Sequence, residues 1–384
     1  MLGTRVVIRE LGETPLDAIE HHAALEEQPM PEPGPDEVVI QVASAAVGWV
    51  DLIMASGQYQ HPPKPPYTPG LEYAGTIVAV GPAGGGVAGS VPSGTRVMVD
   101  PLLAGPRSHG DYQGAGGFAT YAVVPAAAVH PIPGALTFDQ ACNLLGNYET
   151  AYHCLVHRGR LQAGETVLIH GAAGSTGLAA VHLAKLLGAR VIATGRSPAK
   201  LAVVQAQGAD HVVPSRDFKD QVKELTGGKG VDVVYDGVGG DISVESLRCV
   251  TFGARFLIVG WASTPFVAKG KGQRGAPNAN QLPTNLLMMK GLDVLGCPAV
   301  ISAVNDPSLR ATRLAQILAW AEQGKLSPYV SHQFALADFK QAMLAKWNGE
   351  VIGGCVLHPS IGAMAPNPIG AMAPNPVGAM APNP

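Results

Sequence analysis

The sequence predicts a two-part α/β protein: a doubly wound parallel sheet built around a nucleotide-type turn, preceded by a smaller β-rich domain. Three observations predict it. Residues 165–200 read as strand, glycine-spaced turn, helix and strand; from residue 137 onward short strands alternate with helices; and before that point the chain is short strands punctuated by Gly and Pro, with little helix.

The central stretch opens with an apolar run, residues 167–169, short enough for a buried strand. Gly171-Ala-Ala-Gly174-Ser-Thr-Gly177 follows as a turn, and Leu178, Val181, Ala184 and Leu187 then recur at helical spacing until Gly188 closes the helix. Residues 190–194 form the second strand. Taken alone, the pattern A-x-G-x-x-G (Ala172, Gly174, Gly177) serves a tight strand-to-helix connection as well as a ligand. In its βαβ context it predicts a dinucleotide site, because small residues let backbone N–H groups of the turn approach a diphosphate and the helix N-terminus adds partial positive charge. The residues expected to do this are Gly174, Ser175, Thr176 and Gly177. After the second strand come Gly195-Arg196-Ser197-Pro-Ala-Lys200, with no carboxylate until Asp210. A site for an unphosphorylated ribose generally carries Asp or Glu there, whereas Arg196, Ser197 and Lys200 suit a 2′-phosphate and so predict NADPH. The plainer reading makes Arg196 and Lys200 solvated residues at a helix start, where cations oppose the helix dipole.

Composition sets outer bounds. A chain of 384 residues accommodates two domains with full cores. Its 47% apolar and 14% charged residues fit a globular protein, and a net charge of −3 offers no electrostatic case for nucleic acid or an anionic membrane. No apolar run reaches the roughly 18 residues a spanning helix needs, and a charge interrupts the N-terminal apolar stretch where a signal peptide would have its core, so the expectation is a soluble, cytoplasmic protein. Five scattered cysteines (Cys142, Cys154, Cys249, Cys297, Cys355) without C-x-x-C spacing are read as buried thiols.

In chain order, residues 4–8, 37–43, 76–80, 95–99 and 118–124 read as strands, with proline-rich connectors at 31–35 and 61–69. The neighbouring His21 and His22 are read as surface residues. Beyond the central unit, helices are expected at 199–208, 217–226 and 243–250, with strands at 211–213, 231–235, 256–259 and 292–295. Residues 269–281 (KGKGQRGAPNANQ) read as a polar surface loop. Helices at 312–323 and within 334–347 and a strand at 353–357 follow, and this segment is expected to return to the first domain. The last 24 residues are three near-copies of one octapeptide, read as a disordered tail that burial cannot order.

This order of pieces resembles the medium-chain dehydrogenase/reductase superfamily, in its zinc-independent quinone oxidoreductase-like branch, over about residues 1–358. The stretches that carry the resemblance are Pro69-Gly-Leu-Glu-Tyr-Ala-Gly75 with Val80-Gly81, the turn 171–177, and Tyr235-Asp-Gly-Val-Gly-Gly240. The resemblance implies a GroES-like catalytic domain (1–130, completed by 299–358), a Rossmann NADPH-binding domain (131–298) and a tail (359–384), commonly assembled as a homodimer. It implies that Thr150, Asp236, Gly260 and Trp261 line the ribose and nicotinamide. Zinc-dependent relatives place Cys, His and Cys on a catalytic metal; the matching positions here are Gly48, Leu71 and Gly146, which carry no ligand atoms, so no metal is expected. The Gly48 position is commonly Asn in the zinc-free branch, and Trp49 beside it is a candidate to narrow the pocket. Asp51 matches the family's Asp, in a structural or a site role.

The activity implied is metal-free hydride transfer from NADPH to a small molecule, either a quinone or the activated C=C of an α,β-unsaturated carbonyl. The alternatives are an enoyl-thioester reductase and a non-catalytic NADPH-binding protein. Tyr59 matches the pocket Tyr of related enoyl-thioester reductases; its hydroxyl either donates a proton or hydrogen bond to the enolate or caps an apolar loop.

Overall fold

The computed structural model describes residues 1–82, 92–263, 270–271, 273 and 280–359. Among these, fifteen strands form three sheets. Strands β1 (Leu2–Ile8) and β2 (Ala23–Pro29) make an antiparallel ribbon. Strands β3 (Glu37–Ala46), β4 (Glu72–Val80), β5 (Arg96–Val99), β6 (Tyr121–Pro125) and β7 (Val129–Pro131) belong to a seven-stranded, mostly antiparallel sheet. Strand β3 is its hub, pairing with β4 along most of its length and with β6 over Glu37–Gln41. Its run Val38-Val-Ile40 is buried throughout, which fits a strand covered on both faces.

The second sheet holds β8 (Thr166–Ile169), β9 (Arg190–Gly195), β10 (His211–Pro214), β11 (Val231–Asp236), β12 (Val250–Ile258) and β13 (Asp293–Gly296). All five pairings are parallel, in the order β10-β9-β8-β11-β12-β13. Alternate residues supply opposite faces: Val167, Ile169, Val191, Val233 and Tyr235 enter one apolar cluster, while Leu168, Ile192 and Val234 enter another. Helix Ser175–Leu186 buries Leu178, Val181 and Ala184 against this sheet and against helix Leu145–Tyr152. Gly188 follows its end at φ +80°, the left-handed conformation of a helix stop.

Past β13 the chain runs through helix Ser308–Glu322, β14 (Val330–Ala335), helix Phe339–Trp347 and β15 (Gly354–His358). Strand β15 pairs antiparallel with β3, so the end of the chain closes the sheet begun by its start. A stack of Trp49 on Trp347, 5.4 Å between centroids and 2° from parallel, ties the same two segments. Trp49 is thus a packing residue at this seam.

Several element boundaries differ from the sequence reading. The expected strand at 118–124 begins only at Tyr121, because the Phe118 N–H is bonded to the Pro69 carbonyl. The expected helix at 243–250 runs Asp241–Ser246, and Val250 already opens β12, whose register breaks near Gly253 (φ +75°). Strands β2, β7 and β14 and helix Trp49–Ala55 were not legible as elements. The repeat tail beyond residue 359, and most of the 269–281 loop, lie outside the described residues. No helix among the described residues is long and apolar enough to cross a membrane.

Candidate active site

The strand order reverses at β8, and the crevice between the C-terminal ends of β8 and β11 is where such sheets bind ligands. Two glycine turns meet there: Gly171–Gly174 after β8 and Gly237–Gly240 after β11. A Cβ on Gly171 would lie 3.2 Å from Val238 Cγ2. The first turn is pinned from below by buried His170, whose Nδ1 and Nε2 each lie 2.7 Å from a hydroxyl, that of Thr194 and that of Ser246.

Gly174 is the N-cap of helix Ser175–Leu186 and supplies no side-chain cap, leaving the first-turn N–H groups of Ser175, Thr176 and Gly177 for a ligand. At Gly177 a Cβ would sit 2.4 Å from the Gly171 carbonyl oxygen, so only glycine lets the helix approach the turn this closely. The turn therefore fits a diphosphate. It is also gripped from the other domain. The Gly353 N–H donates to the Ala173 carbonyl at 2.9 Å, and Ser175 Oγ donates to the Gly353 carbonyl at 2.6 Å. Half-buried Lys346 Nζ lies 2.8 Å from Ser175 Oγ, and burial pulls its ammonium down to about 8.

Arg196, Ser197 and Lys200 follow β9 together. Arg196 is exposed, with no hydrogen bond or ion pair among the described residues. Ser197 caps helix Pro198–Ala206 through the Lys200 N–H, leaving its own hydroxyl proton to donate. Lys200 Nζ donates to the Gly349 carbonyl and, at 3.1 Å, to that of Val351, while burial and the neighbouring Arg196 charge lower its pKa. Its ammonium is thus already holding the returning segment.

Asp236, Gly260 and Trp261 are brought together across the crevice. Asp236 Oδ1 accepts from the Val238 and Gly239 N–H groups at 2.8 and 2.9 Å, and Oδ2 accepts from Ser243 Oγ. With both oxygens engaged, this carboxylate shapes the turn, and the ligand-facing groups there are backbone. The Gly260 N–H donates to the Asp236 carbonyl, and Trp261 Cα would be 3.2 Å from a Cβ on Gly239. Thr150 lies on helix Leu145–Tyr152, its hydroxyl donating to the Gly146 carbonyl at 2.7 Å. It lines a cleft with Gly146, Arg107, Ala299 and Arg313.

Gly48, Leu71 and Gly146 converge beside that cleft, joined by two carboxylates. Asp51 Oδ2 accepts from the Gly48 N–H at 2.8 Å, and Oδ1 accepts from the Gly70 and Leu71 N–H groups at 2.9 and 3.2 Å. Glu72 Oε1 accepts from the Gly146 N–H and stands where a Cβ on Gly146 would be. Burial pushes Asp51 up to about 7 against these donors, and pushes Glu72 up as well. Among the described residues no group of three or more His, Cys, Asp or Glu could hold a metal ion. Tyr59 is not itself among the residues lining that cleft; it lies edge-on to His61 at 5.0 Å, and His61, 4.8 Å from His109, adjoins the lining residue Arg107.

Sequence reasoning missed Lys346, Arg107 and Glu72. Lys346 sits in a helix that reads as amphipathic, and only the fold brings it to Ser175. Arg107 lies in a Gly/Pro-rich loop whose single cation was the available signal.

Two family models match: an alcohol dehydrogenase GroES-like domain over residues 34–134 and a zinc-binding dehydrogenase domain over residues 175–306. The chain is 33% identical over 327 residues to quinone oxidoreductase-like protein 2 homolog of Nematostella vectensis, covering 83% of this chain and 82% of that one. Its fold is similar to a probable oxidoreductase from Mycobacterium abscessus (TM-score 0.76, 28% identity, 94% of this chain and 100% of the other). It is also similar to a mycobacterial protein solved in complex with NADPH (TM-score 0.74, 26% identity, 93% and 100%). The fold and crevice define a medium-chain dehydrogenase/reductase, with a GroES-like domain beside a Rossmann-type domain. The chain belongs to that superfamily, in its quinone oxidoreductase-like branch, and is an oxidoreductase of that type.

Proposed function

We propose that the protein is an NADPH-dependent, metal-free reductase of quinones or of the activated C=C of α,β-unsaturated carbonyls. The observation that carries the cofactor choice is the tip of β9, where exposed Arg196, unpaired among the described residues, stands beside Lys200 and no described carboxylate occupies the ribose position. A similar mycobacterial protein was solved in complex with NADPH, which supports the same reading.

When bound, NADPH supplies the hydride. The chain's own residues bind and orient. The first-turn N–H groups of helix Ser175–Leu186 hold the diphosphate, Arg196 pairs with the 2′-phosphate, and the Gly237–Gly240 turn and Thr150 orient the ribose and nicotinamide. An acceptor whose added charge delocalises onto oxygen needs no Lewis acid. Gly48, Leu71 and Gly146 bring no ligand atoms, and Asp51 and Glu72 are held by backbone donors. We assign the hydrogen bond to the enolate to the Tyr59 hydroxyl.

The test is absorbance loss of NADPH and of NADH with a panel of quinones, enones and enoyl-CoA esters. Consumption of NADPH by at least one quinone or enone, and preference over NADH, is expected. Tight NADPH binding without consumption across the panel would replace this reading with a non-catalytic binder. Turnover confined to enoyl-CoA esters would move the substrate to thioesters. Elemental analysis is expected to find no tightly held zinc; one zinc per chain, with activity lost on chelation, overturns the metal-free mechanism.

A further inference from the structure

We propose that Arg107 is a carboxylate-recognition residue in the substrate cleft, so that the preferred substrate is an activated alkene or quinone bearing a free carboxylate. This rests on the reductase reading of the cleft above. Arg107 lines the cleft with Gly146, Thr150 and Ala299. Its loop is fixed from within: the Leu103 and Ala104 N–H groups both bond to the Asp100 carbonyl, and buried Ser108 donates Oγ to the Gly105 carbonyl at 2.7 Å. A side chain on so constrained a loop is presented rather than loosely solvated.

Among the described residues the guanidinium has no counter-anion within ion-pair distance. The Arg107 side chain makes no ion pair and no hydrogen bond among them, and its Nε is buried without a partner. The neighbouring Arg313 differs, with Nε and Nη2 at 3.0 and 2.9 Å from Glu149 Oε2. The carboxylates that feel the Arg107 charge, Asp51 and Glu72, stand beyond ion-pair distance and accept from backbone N–H groups instead. His61 lies beside Arg107, and its Nε2 is likewise buried without a partner. A desolvated guanidinium edge with nothing to bind is costly. Its planar fork of N–H groups matches the two oxygens of a carboxylate, whereas a lone ketone oxygen would leave half the fork unsatisfied.

The carboxylate is a handle and is not consumed. NADPH gives hydride to the β-carbon, a proton from water adds at the α-carbon, the C=C becomes CH–CH, and NADP⁺ and the saturated acid leave.

Binding and turnover together test this on the full chain. The binding probes are 4-oxo-4-phenylbutanoate and its methyl ester, titrated calorimetrically in the presence of NADP⁺; the turnover probes are the corresponding 2-enoate and its methyl ester with NADPH. Wild type should bind the acid ten- to a hundredfold more tightly than the ester, a range typical of a charge-assisted pair. Arg107→Met should collapse that ratio and Arg107→Lys should restore part of it. Equal binding of acid and ester by wild type, or equal weakening of both by Arg107→Met, overturns the proposal, and the wild-type ratio decides it even if the variants fail to fold. Acid-selective binding without reduction of either enone would leave the carboxylate site standing and remove the reductase reading. Reduction of both enones without discrimination would do the reverse.

Discussion

A guanidinium at the tip of β9 can meet a side-chain carboxylate or a bound phosphate, and no described carboxylate lies within ion-pair distance of Arg196. Arg196→Ala should therefore raise the KM for NADPH about ten- to a hundredfold, the weight of one charge-assisted contact, and spare NADH. Steady-state kinetics with both cofactors checks this; equal loss with both would reassign Arg196. Lys200 is a less clean probe than its sequence position suggests. Its bonds to Gly349 and Val351 mean that Lys200→Ala should lower the melting temperature as well as weaken NADPH. Tyr59→Phe is expected to lower kcat on the best activated alkene about a hundredfold, roughly 3 kcal/mol for one donor to developing enolate charge, and to affect quinones less. Unchanged turnover would assign Tyr59 to its ring contacts with His61. At this scale the turn residues 174–177 and the β9 tip were legible because their chemistry is written in consecutive positions. Arg107 and Lys346 were not, because each acquires its role only from neighbours far away in sequence.

Among the elements, the constraint that bears on the candidate site is the approach of helix Ser175–Leu186 to the turn before it. A methyl on Gly177 would fall 2.4 Å from the Gly171 oxygen and 2.9 Å from Ala172 Cα, both backbone atoms that cannot swing aside. Gly177→Ala should cost about 1–3 kcal/mol by overpacking and shift the helix N-terminus off its ligand. A lowered melting temperature and weakened NADPH binding in calorimetry are expected; a variant that keeps both would show that the close approach is dispensable. The same physics explains which strands could be read. β8, β9 and β11 carry apolar residues at consecutive central positions, such as 167–169, 191–193 and 233–235, buried on both faces. β2 (AALEEQP) and β14 (VSHQFA) are half-exposed and poor in β-formers. They are strands because a partner holds them: β1 along the whole of β2, and β15 beside β14.

The whole molecule is joined across its two main sheets by a buried charge network. Arg310 on helix Ser308–Glu322 reaches Asp100 beyond β5 at 2.6 and 2.9 Å and Glu149 beside the cleft at 2.8 and 2.9 Å. Arg310→Met should destabilise by about 3–5 kcal/mol in denaturant melts, since it strands Asp100 and leaves Glu149 to Arg313 alone. Burial opposes ionisation of Asp100, yet the His130 ring 3.7 Å away, the Arg310 hydrogen bonds and charge, and the Leu102 N–H hold it at about 2. A carboxyl lowered on folding contributes stability above its unfolded value, lost as pH falls from about 4 towards 2. His153, His170 and His182 act at milder pH, since burial lowers each to about 4. Their contribution is whole above the unfolded histidine value near 6.5 and is lost as pH falls through 4. Asp51, raised to about 7, works the other way, being stabilising below the unfolded value and losing that as pH rises through 7. Three imidazoles outweigh it, so the melting temperature should fall steadily from pH 6.5 to 4; a rise over that range would show that the raised carboxyls dominate.

Strand β3 leaves the ribosome early, but one of its partners, β15, is among the last described residues to be made. Throughout synthesis of the nucleotide-binding sheet, the Ala45–Ala46 end of β3 has an open edge where β15 will dock, the kind of edge on which nascent chains stick to one another. The domain encoded first is therefore completed last. Ribosome-stalled chains ending just after β13 should already protect β8–β13 from protease while β3 and β4 remain cleavable, and release of the full chain should protect both. Equal protection of β3 in the stalled chains would show that the first sheet matures without its final strand.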